Sequence, residues 1–174
     1  MIVLTGESGS GKSTVEDLLS KQGLNHIISC TTRKPREGEQ DGIDYKFMTK
    51  EEFLEGLNTG RFAEYVIYRE NYYGILVEDC EANSIVVVEP NGFRQLKKIK
   101  NIDIVSFYIH VDSRERMIRM LKRGDVIEEV FKRYEYDKVA FAGIANEVNY
   151  IVENTSIEDV VDKIVKILKE KGKL

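Results

Sequence analysis

Cysteine is scarce in this chain. Cys30 and Cys80 are the only two, and they stand far apart. They have neither the density of a disulfide scaffold nor the spacing of a zinc site, and read as reduced thiols of a cytoplasmic protein. No apolar run approaches the ~20 residues that span a bilayer, which excludes a membrane helix. Positive charge is not in excess: the formal net charge is −4, so nothing favours a nucleic acid or a membrane surface as partner. Internal repeats and low-complexity stretches are absent. A secretory leader is not expected either, because Met1 is followed at once by an apolar strand and a glycine-rich loop. The two histidines, His26 and His110, are isolated, and neither is given a role; His110 is expected to pack at a strand end. What remains is a chain of 174 residues, 42% hydrophobic and 32% charged. That is the make-up of one packed domain, or one domain with a small mobile insert.

Short β-branched runs at residues 2–4, 27–28, 85–88, 104–111 and 150–152 suit strands covered on both faces. Helical stripes lie between them. Val15, Leu18 and Leu19 share one face. Met117, Met120 and Leu121 share another, behind Ser113 as N-cap. Ile157, Val160, Val161, Ile164, Val165 and Leu168 form the clearest stripe, with Ser156 as N-cap and Gly172 past its end. Strand–helix alternation of this kind predicts a parallel sheet with right-handed crossovers. Residues 33–84 break the alternation and read as an insert holding one helix near residues 50–57. A second polar segment, about residues 123–133, has the character of a lid, and residues 169–173 that of a frayed end.

Gly6-Glu7-Ser8-Gly9-Ser10-Gly11-Lys12-Ser13 matches the phosphate-loop pattern in full, after a strand and before a helix. Glycines let backbone N–H groups approach phosphate oxygens, and the helix behind presents unpaired N–H groups and partial positive charge. Lys12 supplies a point charge for the β- and γ-phosphates, and Ser13 offers a hydroxyl to Mg²⁺. The ATP-binding set read from the loop is Gly6, Ser8, Gly9, Ser10, Gly11, Lys12, Ser13 and Thr14. The loop by itself specifies a nucleotide phosphate and nothing finer.

A second cluster follows: Ser29, Thr31, Thr32, Arg33, Arg36, Gly38, Glu39, Asp41, Gly42, Asp44 and Tyr45. Arginine forks suit bidentate phosphate binding, so the cluster reads as an anion site beside the loop. With these residues in place, nearly the whole chain resembles the guanylate kinase family. The Ser-x-Thr-Thr-Arg-x-x-Arg stretch is the most specific part. The resemblance implies an α/β fold: a P-loop NTPase three-layer sandwich with a central parallel sheet, a small mixed α+β insert for the nucleoside monophosphate, and an arginine-bearing lid. It implies a core of residues 1–32 and 85–174, an insert of 33–84 and a lid of about 123–133. Arg33, Arg36, Tyr45 and Tyr73 would hold the GMP phosphate and Ser29 would face guanine, with Gly74 in the Tyr-Gly turn. Arg119, Arg123 and Arg133 would close on the phosphates of both nucleotides. Asn154 would lie near the adenine ring, while Arg114, Arg116 and Lys122 would be a solvated basic face. The catalytic set is then Lys12, Arg33, Arg119 and Arg133.

Phe62-Ala63-Glu64 resembles the family segment whose glutamate reads guanine. The chemistry agrees: guanine presents N1–H and the 2-amino group side by side, and one carboxylate accepts both. Adenine offers no such pair and would leave a buried carboxylate unpaired. The chain departs from the family at Val87 and Glu89, which stand where two aspartates are usual, and at Ile75, where a hydroxyl residue is usual. Glu89 keeps a carboxylate for guanine; Val87 removes one near the metal.

ATP with Mg²⁺ as donor and GMP or dGMP as acceptor are the expected substrates of a cytoplasmic transferase, a monomer or weak homodimer. Two other readings stay open at this point. One is a kinase of the same architecture acting on another nucleoside monophosphate or a phosphorylated ribose, which Val87 and Ile75 favour. The other is a non-catalytic module that binds phosphoproteins, against which Lys12, Ser13 and Arg119 speak.

Overall fold

The strand β1 (Ile2–Thr5) is buried along its whole length and forms the centre of a five-stranded sheet. The computed structural model describes residues 1–68 and 70–174. The sheet order is β2 (Asn25–His26), β7 (Ser84–Val87), β1, β8 (Val105–His110), β9 (Tyr150–Glu153), and every pair is parallel. The chain fills one side of β1 first and then crosses to the other. The phosphate loop leaves β1 at this topological switch, where open α/β sheets form their ligand crevice.

Alternation along β1 separates two cores. Ile2 and Leu4 face helices α1 (Lys12–Ser20) and α6 (Ile157–Glu170), packing with Val15, Leu19, Val160, Ile164 and Leu168. Met1 and Val3 face the other side, with Val86, Phe93 and Leu96, the last two from α3 (Pro90–Leu96). The insert supplies Ala63 and Ile75 to this second core. A second sheet runs β4 (Lys46–Phe47), β3 (Cys30–Thr31), β6 (Asn71–Leu76), β5 (Phe62–Tyr68). Beside it lies α2 (Lys50–Asn58), opened by a reciprocal capping box between Thr49 and Glu52. Phe53 stacks on Phe62 at a centroid distance of 4.0 Å and anchors that helix to the sheet.

Several local expectations change. The run at 27–28 lies just past a short edge strand at Asn25–His26, with the Ile27 N–H still bonded to the Ile85 carbonyl. The N-cap of α4 (Ser113–Lys122) is Asp112, whose carboxylate accepts the Arg114 N–H, and not Ser113. Leu121 is 45% exposed; the buried positions of α4 are Arg116 and Met120. The polar segment after Arg123 is largely helical. The chain turns at Gly124, whose φ of +97° suits glycine, and continues as α5 (Ile127–Ala140), folded back along α4. Nor is the C-terminal end frayed. The Gly172 N–H bonds Lys169 and the Lys173 N–H bonds Leu168, a Schellman closure of α6; the Lys173 ammonium pairs with Asp103 at 2.8 Å.

Ser156 does cap α6, its hydroxyl accepting the Asp159 N–H at 3.1 Å. Ser156→Ala is expected to lower stability by about 1 kcal/mol, read as a lower urea midpoint at unchanged slope. An unaltered midpoint would show that the α6 stripe alone holds the helix.

Candidate active site

The loop after β1 folds onto the helices around it. Gly11 has φ +91°, and a Cβ there would meet Asn154 Nδ2 and Ile157 Cδ1, each at 2.9 Å. Asn154 Nδ2 donates to the Ser10 carbonyl at 2.7 Å, so this asparagine braces the loop directly. The Lys12 Nζ donates to the Glu7 carbonyl at 3.0 Å. Burial pulls its pKa down to about 8, while the carboxylates of Asp137, Glu7 and Glu89 oppose the shift and Arg116 adds to it. Ser13 and Thr14 are exposed in the first turn of α1.

Arg116 is not part of a solvated face: it is 5% exposed. Its Nη1 donates to the Ser8 carbonyl at 3.3 Å and to Asp137 Oδ2 at 3.4 Å, and its Nε donates to the Val111 carbonyl at 3.2 Å. The same Asp137 oxygen accepts the Ser8 N–H at 2.8 Å. Glu7 lies 3.6 Å from Arg116 Nη2 and accepts the Tyr108 hydroxyl at 2.7 Å. Glu7, Tyr108 and Asp137 were not expected here. The available signal was Arg116 itself, one turn before Met120 on the apolar stripe, a position that calls for buried partners.

Glu64 is 8% exposed, and among the described residues no group donates a hydrogen bond to it. Burial pushes its pKa up to about 7, with the nearby Glu89 adding to the shift. A Cβ on Gly92 would come within 2.8 Å of Glu64 Oε2, so the glycine leaves the room that this carboxylate fills. Glu89 accepts the hydroxyl of Tyr136 on α5 at 2.7 Å. The two carboxylates expected to face a base are therefore neighbours.

The anion cluster of the insert also assembles. Glu39 grips Arg33 at 2.8 and 3.0 Å and accepts the Arg36 N–H at 2.7 Å. Arg33 lies 5.4 Å from the Tyr45 ring centre; Tyr45 and Tyr73 meet edge to face at 6.0 Å. Gly74 is required because a Cβ would meet the Glu64 carbonyl at 2.8 Å. Ser29 is half-buried beside β3, its carbonyl accepting the Lys46 N–H. On the α4–α5 hairpin, Arg119 pairs with Glu115 and Arg123 with Asp125, while Arg133 is exposed. Exposed pairs of this kind are worth little and exchange readily for a phosphate.

The two remaining departures are apolar packing. Val87 packs against the α1–α6 core and Ile75 is 1% exposed in the other. Among the described residues no cluster of His, Cys, Asp or Glu is arranged to hold a metal, and no helix is long and apolar enough to cross a membrane.

Comparison with known proteins gives one family. Its sequence profile, described as guanylate kinase, matches residues 1–171. A guanylate kinase of Listeria monocytogenes serotype 4b (strain F2365) is 35% identical over 179 residues, covering 97% of this chain and 87% of the relative. One from Mycoplasma genitalium (strain ATCC 33530 / DSM 19775 / NCTC 10195 / G37) is 34% identical, covering 97% of this chain and 74% of the relative. The crystal structure of guanylate kinase from Anaplasma phagocytophilum superimposes with a TM-score of 0.71 over 98% of this chain and 85% of that one; at 24% identity this likeness establishes the fold.

Proposed function

The chain belongs to the guanylate kinase family, and from that membership we infer that it transfers the γ-phosphoryl group of ATP to GMP, giving ADP and GDP. The observation that carries the guanine reading is Glu64: a buried carboxylate beside Glu89 that nothing in the described protein satisfies. Such a group calls for a ligand with adjacent N–H donors, which guanine has and adenine lacks. The reading takes dGMP as an acceptor beside GMP, since both present the same base to Glu64.

The core is formed by residues 1–32 and 85–174, with the insert at 33–84 and the lid at about 123–133. ATP lies along the loop, on Gly6, Ser8, Gly9, Ser10, Gly11, Lys12, Ser13 and Thr14, with Asn154 and Arg123 at its edges. The GMP phosphate is taken by Arg33, Arg36, Tyr45 and Tyr73. Arg33 exchanges Glu39 for it, keeping a bidentate partner throughout. Ser29, Glu64, Gly74 and Glu89 line the base. Because the acceptor is already an anionic oxygen, no side chain needs to remove a proton. Lys12, Arg33, Arg119 and Arg133 align the two phosphates and neutralise the charge that develops between them.

The divalent ion is Mg²⁺, held by Ser13. The donor set fits it: one exposed hydroxyl in the first turn of α1, beside a loop built for phosphates, with no cage of His, Cys, Asp or Glu among the described residues. Mg²⁺ accepts few protein ligands and keeps phosphate oxygens and waters. When bound, it supplies charge neutralisation across the phosphates.

Coupled ADP release over the common nucleoside monophosphates tests this reading. GMP and dGMP should turn over, with AMP, CMP and UMP at least about 100-fold slower. Comparable rates on AMP would overturn the base assignment.

A further inference from the structure

Phosphoryl transfer as described leaves one feature unused: the charged groups buried behind the phosphate loop. Arg116 and Asp137 are 5% and 3% exposed, yet both carry charge. Between them they take the carbonyl and the N–H of Ser8. Glu7, the residue before it, is fastened to Tyr108 on β8 and faces Arg116. The loop also lies against α4 itself, since a Cβ on Gly9 would meet the Arg116 carbonyl at 2.7 Å.

Buried ion groups of this kind gain little stability over apolar side chains of equal volume. What they add is direction: a fork and a carboxylate fix the orientation of a peptide group, and an apolar cluster does not. The placement gives that direction a use. Arg119 follows Arg116 by one turn of α4, and Arg133 precedes Asp137 by one turn of α5. The hairpin that clamps the loop is thus the one that carries arginines toward the phosphates. We propose that Arg116, Asp137 and Glu7 are positioning residues that lock the phosphate loop to the arginine-bearing hairpin, so that alignment of the transferred phosphoryl group depends on them. This rests on the ATP-to-GMP reading. It concerns loop geometry, and the GMP site on the second sheet stands apart from it.

The test is the neutral variant Glu7→Gln/Arg116→Met/Asp137→Asn. It keeps the volumes and leaves neither carboxylate of the network buried without Arg116, as Arg116→Met alone would; because it also removes two carboxylates near Lys12, Arg116→Lys, which keeps both, is the variant that isolates loop position. Steady-state kinetics with ATP and GMP, at a temperature where the variant is folded by circular dichroism, should show kcat reduced about 10- to 100-fold, the scale of an ångström-level misplacement. KM for GMP should stay within about twofold. Arg116→Lys keeps the charge but loses the fork, and should fold normally with kcat reduced about fivefold. Wild-type kcat and wild-type KM for ATP in the folded triple variant, or in Arg116→Lys, overturns the inference and leaves the network a purely structural one. A wild-type protein that releases no ADP with GMP overturns the functional reading, and this inference with it.

Discussion

Lys12→Ala is expected to lower kcat by about three orders of magnitude while leaving the fold intact. A single preorganised charge aimed at a developing anion is worth about 10²–10³ in rate, and burial places Lys12 at the upper end. Its ammonium is shielded from water enough to bring its pKa down to about 8. A charge with so little solvent around it acts on a phosphate with little screening. The fold should survive, because Lys12 contributes one hydrogen bond, to the Glu7 carbonyl, while Asn154, Arg116 and Asp137 hold the loop from both sides. Removing the ammonium does leave Glu7 and Asp137 with one cation fewer nearby, but Arg116 still faces both. The measurement is kcat at saturating ATP and GMP, beside a thermal melt. KM for GMP should move far less than kcat, since the missing charge acts mainly in the transition state. A folded variant with near-normal kcat would remove Lys12 from the catalytic set and, with it, the chief reason to place phosphoryl transfer at this loop.

What the sequence makes legible depends on the range of each interaction. The loop at residues 6–13 is legible because its chemistry is local: backbone N–H groups freed by glycine, a lysine ammonium and a serine hydroxyl act within eight neighbouring positions. The α6 stripe is legible for the same reason, and Val160, Val161, Ile164 and Leu168 are buried as its period requires. The parallel sheet follows from alternation of runs and stripes. Arg116 reads as solvated from sequence because its partners are remote: Asp137 is 21 residues away and Ser8 is 108 away. Charge on a helix usually signals solvent, and only a distant carboxylate reverses that. Asp112 and Ser113 are adjacent and both able to cap, so composition could not rank them; the φ of −52° and ψ of 139° at Asp112 decide it. Lys173 reads as part of a frayed end because nothing near it in sequence can hold it. Asp103, on another segment, does so.

Glu64 governs both the choice of base and its pH dependence. Glu64→Ala is expected to reduce kcat/KM for GMP by about 10²–10⁴-fold, since two hydrogen bonds to a charged acceptor, at about 1.5–3 kcal/mol each, are lost. AMP never makes those bonds, so its kcat/KM should change little and the GMP-to-AMP ratio should fall almost by the loss on GMP. Glu89 stands close enough to retain part of the discrimination. The wild-type carboxyl, pushed up to about 7 by burial and by Glu89, must be ionised to accept from N1–H and the 2-amino group together. Consequently kcat/KM for GMP should rise with pH through about 7, a limb that Glu64→Gln abolishes, before loss of the Lys12 proton near 8 brings it down again. Stability should move the other way. A carboxyl whose folded pKa lies above its ordinary value binds more protons folded than unfolded between those two values. Its favourable contribution is therefore complete below the ordinary value and is lost as pH rises through about 7. Glu64→Gln should accordingly be more stable relative to wild type at pH 8 than at pH 5. The two readouts are independent: kinetics test what the carboxylate does for guanine, and denaturation tests whether it is buried at a cost. A GMP-to-AMP ratio unchanged in Glu64→Ala would remove Glu64 as the base reader whatever its effect on stability, and the contact would then have to come from Glu89 or Ser29.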